Sequence, residues 1–311
     1  MPELERQQLR IGGYQGPRSV HTKGLGVFTS ELTASMGDSL ALSVEPDITT
    51  QGRRAADLWS MVAGDELDIC YFSASYLADQ VPDLGLLDLP FEISDRTQAY
   101  AVLDGPVGRY LADRVAAITP YRVLGFWDNG FRNLSNRLRP IIEPKDCEGL
   151  RLRTLDNAFH QQVFRALGFE PKVLDVRDLL PAVVEGRIDA QENPLTNTVN
   201  FGIAEHHPFV TISRHFFGTA LLLANRQRFD DWPPTLRQAV KQAANAATTA
   251  QRRYARDEDA ACLEALRAGG SQVTVLSEQQ RKGFRHAVRD VVEAHCSLFA
   301  PDLLAQVRRL Q

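Results

Sequence analysis

LALSVEPDITTQGRRAADLWSMVAGDELDICYF, residues 40–72, decides the fold class of this chain. Leu40-Ala41-Leu42-Ser43-Val44 has the length and apolar content of a strand. Residues 53–64 carry helical spacing and end on Gly64, a residue suited to the position after a helix. Leu67-Asp68-Ile69-Cys70-Tyr71-Phe72 reads as the next strand. Strand, helix and strand in succession imply a parallel sheet with helices packed on its faces. Towards the N-terminus, Leu9-Arg10-Ile11-Gly12-Gly13 and the helical pattern of residues 20–36 add another such unit. Towards the C-terminus come the apolar connection Leu86-Leu87-Asp88-Leu89-Pro90-Phe91, a helix over 96–116 broken near Gly105-Pro106, and a strand over 121–127.

After residue 127 the pattern restarts: strand 150–154, helix 156–167, strand 171–174, helix 176–185 and strand 187–190. A second lobe with the same logic is expected. Phe209–Ile212 and Thr219–Ala224 read as two strands that lead back to the first lobe. Residues 236–268 hold neither Pro nor Gly, with Pro233-Pro234 before them and Gly269-Gly270 after. At about 1.5 Å per residue this helix reaches roughly 50 Å, enough to span both lobes. Helices over 277–298 and 301–310 end the chain. The expected division is residues 1–128 with 216–250 in one lobe, and 129–215 with 251–311 in the other. No internal sequence repeat or low-complexity segment stands out.

The chain has 311 residues, 44% of them hydrophobic, which suffices for two filled cores. Its net charge of −4 and scattered arginines argue against nucleic acid as a partner. No apolar run approaches the roughly 18–20 residues of a membrane helix. Residues 1–10 are polar and carry no secretory leader, so the sequence reads as a trimmed, mature chain or a cytosolic one. Cys70, Cys147, Cys262 and Cys296 show no CxxC spacing, so neither zinc nor redox chemistry is indicated. Pairing of Cys262 with Cys296 stays open.

Three segments carry the chemical interest: residues 126–136, FWDNGFRNLSN; 149–153, GLRLR; and 186–194, GRIDAQENP. Arg132 follows the turn pair Asn129-Gly130 and reads as an arginine just past a strand end, where open α/β sheets bind ligands. A guanidinium there can hold a carboxylate by two parallel hydrogen bonds, or simply join a surface salt bridge. Period two places Arg151 and Arg153 on one strand face and does not choose between them. Asn193 precedes Pro194, so its backbone is extended. Its amide can serve a ligand oxygen or its own turn. Glu192 reads as support for an arginine or a backbone amide. The tandem His206-His207 does not share a face and makes a poor metal site. Gly24-Leu25-Gly26 lacks the strand a dinucleotide motif requires, and no GxSxG, P-loop or HExxH occurs.

Together these segments resemble the periplasmic solute-binding subunits of TRAP transporters, the DctP-like family. The resemblance runs from the strand near residue 9 to the helices near 298. It includes GDELDICYFSASYL at 64–77, LLDLPFEISD at 86–95, DNGFRNLSN at 128–136, CEGLRLRTL at 147–155 and EGRIDAQENP at 185–194. It implies an α/β, two-lobed periplasmic-binding-protein fold with a ligand cleft between the lobes and a long helix spanning both. It implies that Arg153 salt-bridges a ligand carboxylate, with Arg132 as the second arginine and Asn193 as the amide contact. His21, Phe72, Ser73, Trp127, Asp175, Val176, Phe216 and Phe217 fall where pocket lining is expected. Asp175 is equally a candidate helix cap. Members for sialic acid carry acidic residues after the Gly52 turn and near Ser73, where this chain has Arg53, Arg54 and Ser73, so an amino sugar is disfavoured.

The resulting expectation is a non-catalytic, periplasmic receptor without cofactor or metal, which binds a small organic acid and delivers it to the membrane subunits of a TRAP transporter. Two rivals keep the same site. One is a receptor that presents its ligand to a signalling protein. The other is an enzyme acting on a carboxylate, for which the sequence marks no base or nucleophile.

Overall fold

A computed structural model describes residues 7–309; the expected ends of the lobes, at residues 1 and 311, and the end of the last helix, at 310, lie outside the described residues. In chain order the first elements are β1 (Gln7–Gly12), α1 (Val20–Met36), β2 (Leu40–Glu45), α2 (Asp57–Ala63) and β3 (Ile69–Ser73). Then follow α3 (Arg96–Asp104), α4 (Pro106–Ile118), β4 (Tyr121–Asn136), β5 (Arg151–Thr154), α5 (Ala158–Ala166) and β6 (Glu170–Val173). Next come α6 (Val176–Val184), β7 (Ala190–Pro194), α7 (Leu195–Asn200), β8 (Phe209–Asn225) and α8 (Arg226–Asp231). The last are α9 (Pro234–Ala268), β9 (Gln272–Val275), α10 (Glu278–Cys296) and α11 (Pro301–Arg308).

The chain forms two compact units. Unit 1 holds the described residues up to Ser73, Ala112–Asp128 and Thr219–Asp257; unit 2 holds Ala74–Leu111, Asn129–Gly218 and the described residues from Glu258. This division differs from the expected one at 216–218, at 251–257 and, most of all, over 74–111, a segment expected in the first lobe. Its polar groups explain its placement. Within unit 2, the Ser75 hydroxyl donates to Asp88, the Phe91 N–H to the His215 carbonyl, and Arg96 pairs with Asp259.

Unit 1 orders its strands β2-β1-β3-β8, parallel except for the antiparallel β3–β8 pair. Unit 2 orders them β6-β5-β7-β4, parallel except for the antiparallel β7–β4 pair. The two sequences of pairings match. In each, an aspartate just ahead of the third strand clamps an arginine on the first. Asp68 accepts from the Arg10 backbone N–H at 2.7 Å and from its guanidinium, and Asp189 does the same for Arg151, at 3.2 and 2.7 Å. The repeat is thus one of hydrogen bonding rather than of residue identity.

β3 is buried along its whole length, as a central strand covered on both faces requires. α1 begins on Ser19, whose side chain accepts from the His21 N–H. α5 is capped by Asn157 and buries Phe159, Val163 and Phe164 on one stripe. α9 runs for 35 residues, with residues 234–257 in unit 1 and 258–268 in unit 2. In unit 1 it buries a seam of small side chains, Ala239, Ala243, Ala244 and Ala247, beside Val240. Close approach to β4 follows: a Cβ on Gly125 would stand 2.5 Å from Thr248 Oγ1. The apolar cores of unit 2 include Leu179, Ala182, Val183, Ile188 and Ile203 in one cluster, and Leu195, Val210, Ile212, Cys262 and Leu266 in another. Trp59, Trp127 and Trp232, all the tryptophans of the chain, are buried in unit 1.

Three elements differ from expectation. β4 does not stop at Trp127 but continues to Asn136 through Gly130, which takes φ 89°. β7 begins at Ala190 and includes the stretch expected to turn. Phe209–Ile212 and Thr219–Ala224 are one 17-residue strand, β8. The short β9 had no counterpart in the sequence reading. All four cysteines are free. Among the described residues no helix is long and apolar enough to cross a membrane, and no group of three or more His, Cys, Asp or Glu is placed to hold a metal.

Candidate functional site

β7 is the middle strand of the candidate site, with β5 on one side and β4 on the other. Arg153 of β5 pairs in register with Gln191, and Arg132 of β4 with Pro194. Arg153 and Asn193 each sit one residue before the end of their parallel strands, where side chains emerge at the sheet's carboxyl edge. All three candidates are buried, with Arg132 at 4%, Arg153 at 2% and Asn193 at 3% exposure.

The two arginines differ in their partners. Arg132 forms a forked pair with Glu192, its Nη2 donating to Oε1 at 2.7 Å and to the Glu192 carbonyl at 2.8 Å, with Nε on the other carboxylate oxygen. Nη2 also donates to Asn193 Oδ1 at 3.3 Å. Burial alone would raise the Glu192 carboxyl, but the Arg132 charge, with hydrogen bonds from His215 and Arg132, outweighs it and holds Glu192 below the usual range. Burial likewise opposes the Arg132 charge, and Glu192 more than offsets it. His215 is held low by burial, against the pull of Glu192, and is neutral near pH 7. Its Nδ1 meets Ser213 Oγ at 2.8 Å and its Nε2 lies 3.4 Å from Glu192.

Arg153 has no carboxylate partner among the described residues. Its Nε and Nη2 donate to the Leu174 carbonyl at 3.0 and 2.8 Å, and it bonds the Tyr76 side chain. Burial raises the Tyr76 phenol, while the charges of Arg153 and Arg132 pull it down and Asp175 pushes it up. Tyr76 is therefore an electrostatic neighbour of both arginines. Its segment, 64–77, is among those that carry the resemblance, and the sequence signal for it is a tyrosine three residues past the buried strand β3.

Arg151 and Arg153 differ in their partners. Arg151 is half-exposed and bound to Asp189 at 2.7 Å and to the Gly186 carbonyl at 2.8 Å, a structural clamp. Asn193 is not bonded to its own turn. Its Nδ2 donates to Gln191 Oε1, and Gln191 Nε2 donates to Ser135 Oγ at 2.7 Å. Arg132 was expected beyond a strand end and instead lies inside β4, two residues after the Gly130 kink.

The other candidates divide between the units. In unit 1, His21 stacks on Tyr71 at 5.1 Å and lies 6.1 Å from Trp127, whose Nε1 donates to Thr248 Oγ1 at 3.1 Å. Burial lowers His21 to about 3, and its Nδ1 lies 3.3 Å from Gln15 Oε1. Phe72 packs edge-on against Tyr14 and Trp59, a core placement, and Ser73 ends β3. In unit 2, Asp175 caps α6 by accepting from the Arg177 N–H at 3.1 Å, and Val176 is its first residue. Phe216 stacks on His160 at 4.3 Å, and Phe217 meets Phe131 edge-on at 5.1 Å. His207 is buried with Nδ1 3.0 Å from Ser135 Oγ.

The family profile described as bacterial extracellular solute-binding protein, family 7 (DctP) matches residues 11–297. A solute-binding protein of Verminephrobacter eiseniae is 30% identical over 244 residues, 78% of this chain and 72% of its own length. The 2,3-diketo-L-gulonate-binding periplasmic protein of Escherichia coli is 27% identical over 93% of this chain and 87% of its own length. In structure, a TRAP periplasmic solute-binding protein from Sulfurospirillum deleyianum with bound succinate superimposes with a TM-score of 0.91. It is 25% identical and covers 98% of this chain and 99% of its own.

Proposed function

The chain belongs to family 7 of the bacterial extracellular solute-binding proteins, the DctP family, and on that premise we propose that it is a non-catalytic receptor for a small organic acid, held by its carboxylate through Arg153, Arg132 and Asn193. The observation that carries this reading is the Arg153 guanidinium, buried to 2% exposure and partnered, among the described residues, by a carbonyl and a phenol. An isolated buried charge is costly. A ligand carboxylate supplies the missing counter-charge and accepts two parallel N–H bonds from the guanidinium fork.

Arg132 has a different task. Its charge is already matched by Glu192, so it adds hydrogen-bond donors and orientation rather than net charge. Asn193, fixed by Gln191 and Arg132, is a pre-set neutral contact. Tyr76 places a hydroxyl beside both arginines. The named ligands of two relatives, succinate and 2,3-diketo-L-gulonate, both carry a carboxylate, which supports the class. The receptor acts on the periplasmic side and delivers its acid to the membrane subunits of a TRAP-type permease.

The test is a thermal-shift and calorimetric screen against mono- and dicarboxylates, sugar acids and their amides. One carboxylate class raises stability by about 4 kcal/mol at a thousandfold excess over its Kd, and the amides do not. A folded protein that responds to no carboxylate, or that turns its ligand over, overturns the reading.

A further inference from the structure

A second arginine-rich recess lies in unit 2, apart from Arg153. A cavity of about 140 Å³ is lined by Phe91, Ile93, Ser94, Arg214, Glu278, Arg281 and Arg285. Three guanidiniums there face one carboxylate. Glu278 pairs with Arg281, at 3.3 Å, and with Arg285. Arg214 makes no ion pair among the described residues; its guanidinium sits over the Phe131 ring, 5.4 Å from the centroid. Arg96 lies over the same ring at 5.7 Å, but Asp259 neutralises it at 3.2 Å. The recess therefore has an excess of positive charge, concentrated on Arg214.

The backbone there is held in an unusual state. Arg214 has φ 47° and Phe91 φ 63°; only one other non-glycine described residue, Asp65, has positive φ. Such conformations cost of order 1–3 kcal/mol each and persist where surrounding bonds enforce them. Here the Arg214 N–H donates to Asn133 Oδ1 at 3.1 Å and the Phe91 N–H to the His215 carbonyl at 2.8 Å. Both strained residues line the same recess. In β8, Arg214 is exposed while Ser213 and His215 on either side of it are buried, so the strand turns this one guanidinium outward.

We propose that this recess is a second anion site, which takes a small oxyanion, carboxylate or phosphate, on Arg214 with Arg281 and Arg285. The volume matches a small polyatomic anion: a cavity of about 150 Å³ holds a benzene-sized molecule. Guanidiniums bind both oxyanion types by the same forked geometry.

The experiment uses the full chain carrying Arg153→Met, so that the carboxylate site proposed above is disabled and its failure is scored separately. Inorganic phosphate and tricarballylate are titrated by calorimetry at constant ionic strength. Saturation with a Kd of about 1 mM or tighter is expected for at least one of them, and which one saturates names the oxyanion. Arg214→Asn, whose side chain tolerates positive φ, weakens that binding at least tenfold while the protein stays folded. Arg285→Gln, at the other end of the recess, weakens it as well. Absence of saturation with both anions, or saturation unchanged in Arg214→Asn, overturns the proposal.

Discussion

Arg153 and Arg132 share a side chain but not an electrical setting. Arg153 is buried and has no counter-ion among the described residues, so its removal relieves the unliganded protein of a desolvated charge. Arg153→Met is expected to lower carboxylate affinity at least a hundredfold while leaving the melting temperature of the free protein unchanged or higher; calorimetry and thermal denaturation read the two effects separately. Glu192→Gln does the opposite, leaving Arg132 buried without its carboxylate. A loss of about 3–5 kcal/mol is expected in denaturant titration. At this scale the sequence marks residue types: an amide and an adjacent glutamate on one short stretch, Glu192-Asn193, and arginines on two others. It could not separate Arg151 from Arg153, because strand periodicity puts both on one face. Their difference lies in Asp189 and Leu174, partners remote in sequence. Tyr76 was missed for the same reason.

Gly130 shows how an element sets the site. Its φ of 89° falls where side chains are rarely found, and a Cβ there would stand 2.9 Å from Pro194. Gly130→Ala therefore pushes β4 away from β7 or forces the backbone out of its kink. A loss of about 1–3 kcal/mol and weaker carboxylate binding are expected together, read by denaturant titration and calorimetry on the same preparation. The expected strand ends at Trp127, short of Asn129-Gly130, a pair that commonly signals a turn. The continuation to Asn136 depends on pairing with β7, which no local pattern announces. β8 likewise continues through residues 213–218, between the two expected strands, although the exposed Arg214 interrupts the apolar run. The helices were more legible. α9, with proline before it and glycines after, matches its expected span almost to the residue, since capping and composition act locally.

For the whole molecule, acid sensitivity follows from buried imidazoles in both units. Burial holds His21 at about 3 and His207 at about 4, and lowers His215 too. Each is depressed relative to an unfolded value near 6.5, so the unfolded chain takes up more protons below that pH. Their contribution is complete above about pH 6.5 and declines as pH falls towards the folded values, by about 1.4 kcal/mol per pH unit for each histidine. Melting temperatures are expected to be flat from pH 8 to 7 and to fall steadily from 6 to 5. His21→Phe removes one proton from that slope, and an unaltered slope in that variant contradicts the assignment. The matched strand order of the units was hidden from the sequence, which shows no repeat; what recurs is an aspartate clamping an arginine, and a bonding pattern leaves little trace in residue identity. Because all three indoles lie in unit 1, excitation selective for tryptophan illuminates that unit alone. Their emission is blue-shifted while they are shielded and moves red as unit 1 opens. Far-UV circular dichroism registers both units. Coincident melting curves from the two signals would establish that the units unfold as one cooperative body, and separated curves would time unit 1 against the rest without any label.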